Sequence, residues 1–118
     1  MDSIETSTEA LTEIVQHLPE GGRERPGQQK MNRAIAEAIR DAEHLLIQAG
    51  TGVGKTLAYL LPAIISGKQT VVATFTKALQ DQMVEKDLPF LAKYLPQATN
   101  QSFSFTQVKG WSNYLCLE

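Results

Sequence analysis

Ala49-Gly50-Thr51-Gly52-Val53-Gly54-Lys55-Thr56 are the residues of this chain whose types and spacing best suit chemistry. They match G-x-x-x-x-G-K-S/T at every fixed position except the first, where Ala49 stands for glycine. The chemistry is that of a phosphate cradle. Glycines let the backbone take turns closed to other residues and bring N–H groups up to oxygen. Those N–H groups, backed by a helix N-terminus, form a nest for an anion. Lys55 would reach the β- and γ-phosphates of a nucleotide, and Thr56 would place its hydroxyl on Mg²⁺. The cradle identifies a nucleoside triphosphate as ligand. It specifies neither the base nor the work that hydrolysis drives.

The elements that must position this loop follow from periodicity. Leu11, Ile14, Val15 and Leu18 recur at helical spacing, so a short amphipathic helix is predicted over Thr8–Leu18, with Ser7 or Thr8 as cap. Pro19–Gly27 breaks the pattern as a loop. Met31, Ala34, Ile35, Ala38, Ile39 and Ala42 form a second helical stripe, with Arg33 and Glu37 paired on its outer side. His44–Gln48, Thr70–Phe75 and Ser102–Val108 read as three strands. Leu57, Leu60, Leu61, Ile64 and Ile65 mark the helix after the loop, which Pro62 should kink. Lys77–Lys86 reads as a further helix with Leu79 and Met83 inward, and Asp87 restarts a turn with Pro89 near its first position. Strands alternating with helices predict an α/β fold, a parallel sheet with flanking helices, and place the cradle at the carboxyl end of the first strand. Three strands leave an edge exposed, which predicts marginal stability and aggregation.

Length and composition bound the answer. The chain has 118 residues, the size of one domain, with 42% hydrophobic and 20% charged residues. Its net charge of −2 excludes a chain-wide grip on nucleic acid, so any such contact is local. One cysteine, Cys116, excludes an internal disulfide. The acidic N-terminus lacks a signal peptide, and no apolar run reaches the roughly 18 residues of a spanning helix. A cytoplasmic protein without membrane contact is expected. His17 and His44 are not at metal-ligand spacing.

Four short stretches narrow the choice: Arg25-Pro26-Gly27-Gln28, the cradle, Thr74-Phe75-Thr76 followed by "KALQDQM", and "VKGWSNYLC" ending at Cys116. The amide of Gln28 can both donate to and accept from adenine. Hydroxyls at a strand end suit the phosphates of a single strand. In this order and spacing the stretches resemble the DinG/XPD-like iron–sulfur helicases of superfamily 2, in particular the bacterial DinG/YoaA branch, over Arg25–Cys116. The resemblance implies a RecA-like P-loop NTPase fold and an ATP- and Mg²⁺-dependent 5′→3′ DNA helicase of DNA repair. It assigns Gln28 and Arg25 to adenine, and Ala49, Gly50, Thr51, Gly52, Val53, Gly54, Lys55 and Thr56 to the phosphates, with Lys55 and Thr56 catalytic. It assigns Thr74, Thr76 and Gln80 to single-stranded DNA, and Cys116 to the first of four thiolates of a 4Fe–4S cluster. Trp111 stands where the family pattern has Arg.

Other parts of such a motor are missing from these residues. Asp81, Glu85 and Asp87 sit in a helical stretch and do not replace an acidic DEAH-type motif. A second RecA-like domain and three further cluster cysteines are also lacking. The expectation is an N-terminal fragment: a helix and loop over 1–24, then a truncated ATP-binding domain over 25–118 that binds Mg-ATP weakly and unwinds nothing alone. A small stand-alone P-loop nucleotide-binding or kinase-like module is the alternative, and a non-enzymatic remnant the third reading.

Overall fold

The computed structural model describes residues 3–18, 26–49 and 55–108. Within them the chain forms α1 (Ser3–Val15), α2 (Pro26–Asp41), α3 (Lys55–Ile65), α4 (Lys77–Gln82), a π-helical turn (Met83–Asp87) and α5 (Leu88–Thr99). One core joins α1, α3, the π-turn and α5. Leu11, Ile14 and Val15 of α1 meet Leu57, Leu60 and Leu61 of α3, Met83 of the π-turn, and Leu91 and Leu95 of α5. The end of α1 is fastened to α5 by His17, which stacks on Tyr94 with ring centroids 4.2 Å apart.

The parallel sheet expected from the sequence is absent among the described residues, and this overturns the α/β reading. Segments 44–48, 70–75 and 102–108 carry no strand. Leu46 is 97%, Val71 89% and Phe75 fully exposed. A parallel strand needs cover on both faces and a partner far away in the chain. Here the apolar stripes of the helices cover one another, and the three segments add only scattered contacts, Ile47 at the cleft of α2 and Phe103 at the edge of the core. The β-branched composition of 70–75 is a propensity that packing overrides. The RecA-like sheet, and the placing of the cradle at a strand end, fall with it.

Helix boundaries also move. α1 starts at Ser3, so Ser7 and Thr8 are interior and cap nothing. The Thr8 hydroxyl donates back to the Glu5 carbonyl at 3.0 Å. Ser7 is buried and donates to Asn32 Oδ1 at 2.6 Å, joining α1 to α2 through a satisfied polar pair. On α2 the buried positions are Gln28, Asn32 and Ala36. The predicted stripe lies on the adjacent face, where Met31, Ile35 and Ala38 line an open apolar cleft of about 550 Å³ with Leu45 and Ile47. The Arg33–Glu37 pair forms as expected, at 3.2 Å.

Pro89 accounts for the π-turn. It has no N–H for the Glu85 carbonyl, and its ring crowds the preceding turn. The helix widens, and the Leu88 N–H reaches Met83 O, five residues back. α5 then runs on to Asn100, whose left-handed φ of 59° closes it with an N–H bond to Pro96 O.

Past its last residue, Asp41, α2 turns through Ala42 at φ 55°. The Glu43 N–H returns to Ala38 O at 2.9 Å, a six-to-one closure. An L-alanine there is strained where glycine is not. Ala42→Gly is predicted to raise stability by about 0.5–1 kcal/mol, the relieved strain less the added freedom of the unfolded chain. Urea unfolding checks this as a higher midpoint at unchanged slope; a lower midpoint contradicts it.

Candidate phosphate-binding site

α3 carries two side chains of the cradle, Lys55 and Thr56, at its head. Leu57, Ala58, Leu60 and Leu61 are buried, so the helix is pinned from its third residue onward. Lys55 is exposed at the first position and Thr56 is half-buried at the second. The first N–H groups of a helix have no partner within it, and its dipole is positive at that end. An anion is therefore favoured beside Lys55. Among the described residues Lys55 makes no ion pair; its amino group donates to Ala49 O at 3.5 Å, a long and weak bond. That contact brings Ala49 and Lys55 together across six positions of sequence. The ammonium group and the helix end fit a polyphosphate, and a threonine hydroxyl fits a hard cation such as Mg²⁺. Gly50, Thr51, Gly52, Val53, Gly54, Arg25 and Cys116 lie outside the described residues.

The other predicted contacts stand apart from this cluster or are otherwise engaged. Gln28 is 3% exposed, and its Oε1 accepts no hydrogen bond. Thr76 accepts from the Leu79 N–H at 3.2 Å and so caps α4. The Thr74 hydroxyl donates to Thr76 O at 3.2 Å, and Gln80 Nε2 donates to Val108 O at 2.9 Å. These three residues shape the turn into α4 and tie segment 102–108 to it. Phe75, between the two threonines, projects into solvent.

Two polar groups near the head of α3 escape sequence reasoning. Tyr59 is half-buried against the core. Burial pushes its phenol above the usual range, the neighbouring Thr56 hydroxyl draws it back as a hydrogen-bonding group, and the charge of Asp87 pushes it up again. Asp87 closes the π-turn, and its Oδ2 is shielded from solvent without a hydrogen-bond partner. Burial holds its carboxyl above the usual range, against the opposing pull of Lys86. The available signal was the four-residue step Met83, Asp87, Leu91, Leu95, an acid inside an apolar stripe.

The profile of the DEAD/DEAH box helicase family matches residues 25–108. The chain belongs to that family. It is 50% identical over 101 residues to a Mycobacterium tuberculosis protein named ATP-dependent helicase DinG, covering 82% of this chain and 15% of that one. It is 44% identical over 106 residues to the ATP-dependent DNA helicase YoaA of Haemophilus influenzae, covering 90% and 16%. A Bacillus subtilis relative at 38% identity, covering 92% and 11%, is named 3'-5' exonuclease DinG. The chain thus spans about 11–16% of the length of these relatives. No solved structure matches it. Among the described residues no helix is long and apolar enough to cross a membrane, and no group of three metal-ligating side chains occurs.

In this helicase-family chain Asp87 has a pH signature. Its folded carboxyl holds a proton to higher pH than the unfolded one, so the fold loses stability as pH rises from the ordinary carboxylate value, about 3.9, through the raised folded value. The burden is complete above that window and absent below it. Asp87→Asn is predicted to raise the melting temperature at neutral pH, with the gain vanishing at about pH 3. Melts of both proteins across that range check this; a neutral-pH loss contradicts it.

Proposed function

We propose that residues 25–118 are the nucleotide-binding segment of an ATP-dependent DNA helicase of the DinG/YoaA kind. The observation that carries this reading is the head of α3, where Lys55 lies exposed, free of ion pairs with described carboxylates, and bonded only weakly to Ala49 O. Family membership and the names of the relatives agree with it. In this reading Lys55 neutralises the β- and γ-phosphates, Thr56 ligates Mg²⁺, and the backbone from Ala49 to Gly54 wraps the phosphate oxygens. Gln28 and Arg25 select adenine. Thr74, Thr76 and Gln80 lie along single-stranded DNA, through the turn that their present hydrogen bonds hold in shape.

A 4Fe–4S cluster takes about four thiolates, and this chain has one cysteine. Its residues do not suffice for the cluster, and the proposed binding takes no step through one. The chain also has no DEAH-type acid, so binding without turnover is the activity proposed for these 118 residues.

Lys55→Ala is predicted to weaken Mg-ATP binding by at least about tenfold while leaving the fold intact, because a charge-assisted phosphate contact contributes roughly 1.5–3 kcal/mol and the side chain supports no described packing. Calorimetric titration with ATP and GTP, paired with a thermal melt, measures both. Equal affinity in the variant contradicts the assignment. Loss of ATP-over-GTP preference in Gln28→Ala supports the helicase reading over a stand-alone phosphate-binding module; an unchanged preference removes Gln28 from the site.

A further inference from the structure

The apolar cleft beside α2 takes no part in the phosphate reading. Met31, Ile35 and Ile39 line it from α2, and Leu45 and Ile47 from the segment that follows. Leu45 is 48% exposed, and Leu46 next to it 97%. A contiguous apolar surface left in water marks a place where another surface docks. The charged residues that line the cleft are one acid and one base, Glu43 and Lys68. Both are exposed, and neither forms an ion pair among the described residues. The Lys68 ammonium donates only to Ile39 O, at a long 3.5 Å.

The backbones of these two residues are fixed in the same way. Each follows a left-handed residue that closes a helix. Ala42, at φ 55°, precedes Glu43, whose N–H returns to Ala38 O at 2.9 Å. Gly67, at φ 71°, precedes Lys68; the Gly67 N–H donates to Ile64 O at 3.1 Å, and the Lys68 N–H to Ser66 Oγ at 3.2 Å. The ends of α2 and α3 thus hold one negative and one positive group beside the same apolar lining.

We propose that this cleft is the contact face for a second copy of the chain, related to the first by a two-fold axis: the apolar residues of the two clefts cover each other, and Glu43 of each copy pairs with Lys68 of the other. The charges select this occupant. A neutral apolar ligand leaves both of them without a partner, and a singly charged one brings its charge up to a like charge as well as an opposite one. A face with one acid and one base beside an apolar centre is complementary to itself, because a half-turn lays each charge over its opposite. The apolar centre then supplies most of the affinity, and the two reciprocal pairs set register and partner choice.

Sedimentation velocity of the 118-residue chain from micromolar to millimolar concentration tests this, with circular dichroism to confirm that each variant is folded. The chain is expected to pass from a 13.0 kDa monomer to a dimer and no further. Lys68→Glu and Glu43→Lys each set like charges opposite one another at both contacts, and each alone is expected to weaken the dimer by at least about tenfold. An equimolar mixture of the two variants is expected to recover it, since an acidic face then meets a basic one. Leu45→Asp, which charges the apolar lining, is expected to stay monomeric in every mixture. A monomer at every concentration overturns the proposal and leaves the cleft to a different polypeptide; open-ended aggregation overturns it too. A dimer indifferent to both charge variants, or two weakened variants that do not recover on mixing, assigns the contact to another face and overturns it equally.

Discussion

Everything at the candidate site depends on the burial of α3. Leu57, Leu60 and Leu61 are held between α1 and the run from α4 to α5, and that contact fixes where the head of the helix points. Lys55 and Thr56 precede the first buried residue, so packing orients them without covering them. A leucine as deeply buried as Leu61 contributes roughly 2–5 kcal/mol relative to alanine, far more than any hydrogen bond at the site. The hydrophobic contact therefore sets the geometry, and the polar chemistry occupies the end that burial leaves open.

The same core explains a conflict within the molecule. An apolar residue at 87 would extend the stripe of Met83, Leu91 and Leu95, yet an aspartate stands there with an unsatisfied oxygen. Sites that serve a ligand commonly carry such local losses. Pro89 and the π-turn belong to the same arrangement, since the widened turn closes at Asp87.

Legibility in the sequence followed the range of the interactions involved. Local patterns were readable. The helix after the loop runs over Lys55–Ile65 as its leucine spacing indicates, Arg33 and Glu37 pair one turn apart, and Pro89 falls at the start of α5. The sequence suggests a cradle because glycine, lysine and threonine would each have a separate physical task there. The strands were misread because pairing is non-local. Val71 and Phe75 have sheet-forming side chains, but composition cannot say whether a partner and two covering layers are present. The stripe of α2 was seen while its direction was not: Asn32, polar and thus passed over, is the buried residue because Ser7 satisfies it. Thr76, proposed as a DNA contact, also caps α4 with its hydroxyl, a role equally native to threonine at that position.

Hydrogen exchange of the 118-residue chain with and without Mg-ATP tests the central claim, that the head of α3 is a phosphate site, most directly. The account predicts slowed exchange over residues 49–60, where backbone N–H groups would donate to phosphate oxygens, and little change in α5, whose Leu91 and Leu95 are already packed. Unaltered exchange over 49–60 at saturating nucleotide, or protection confined to other helices, would contradict it.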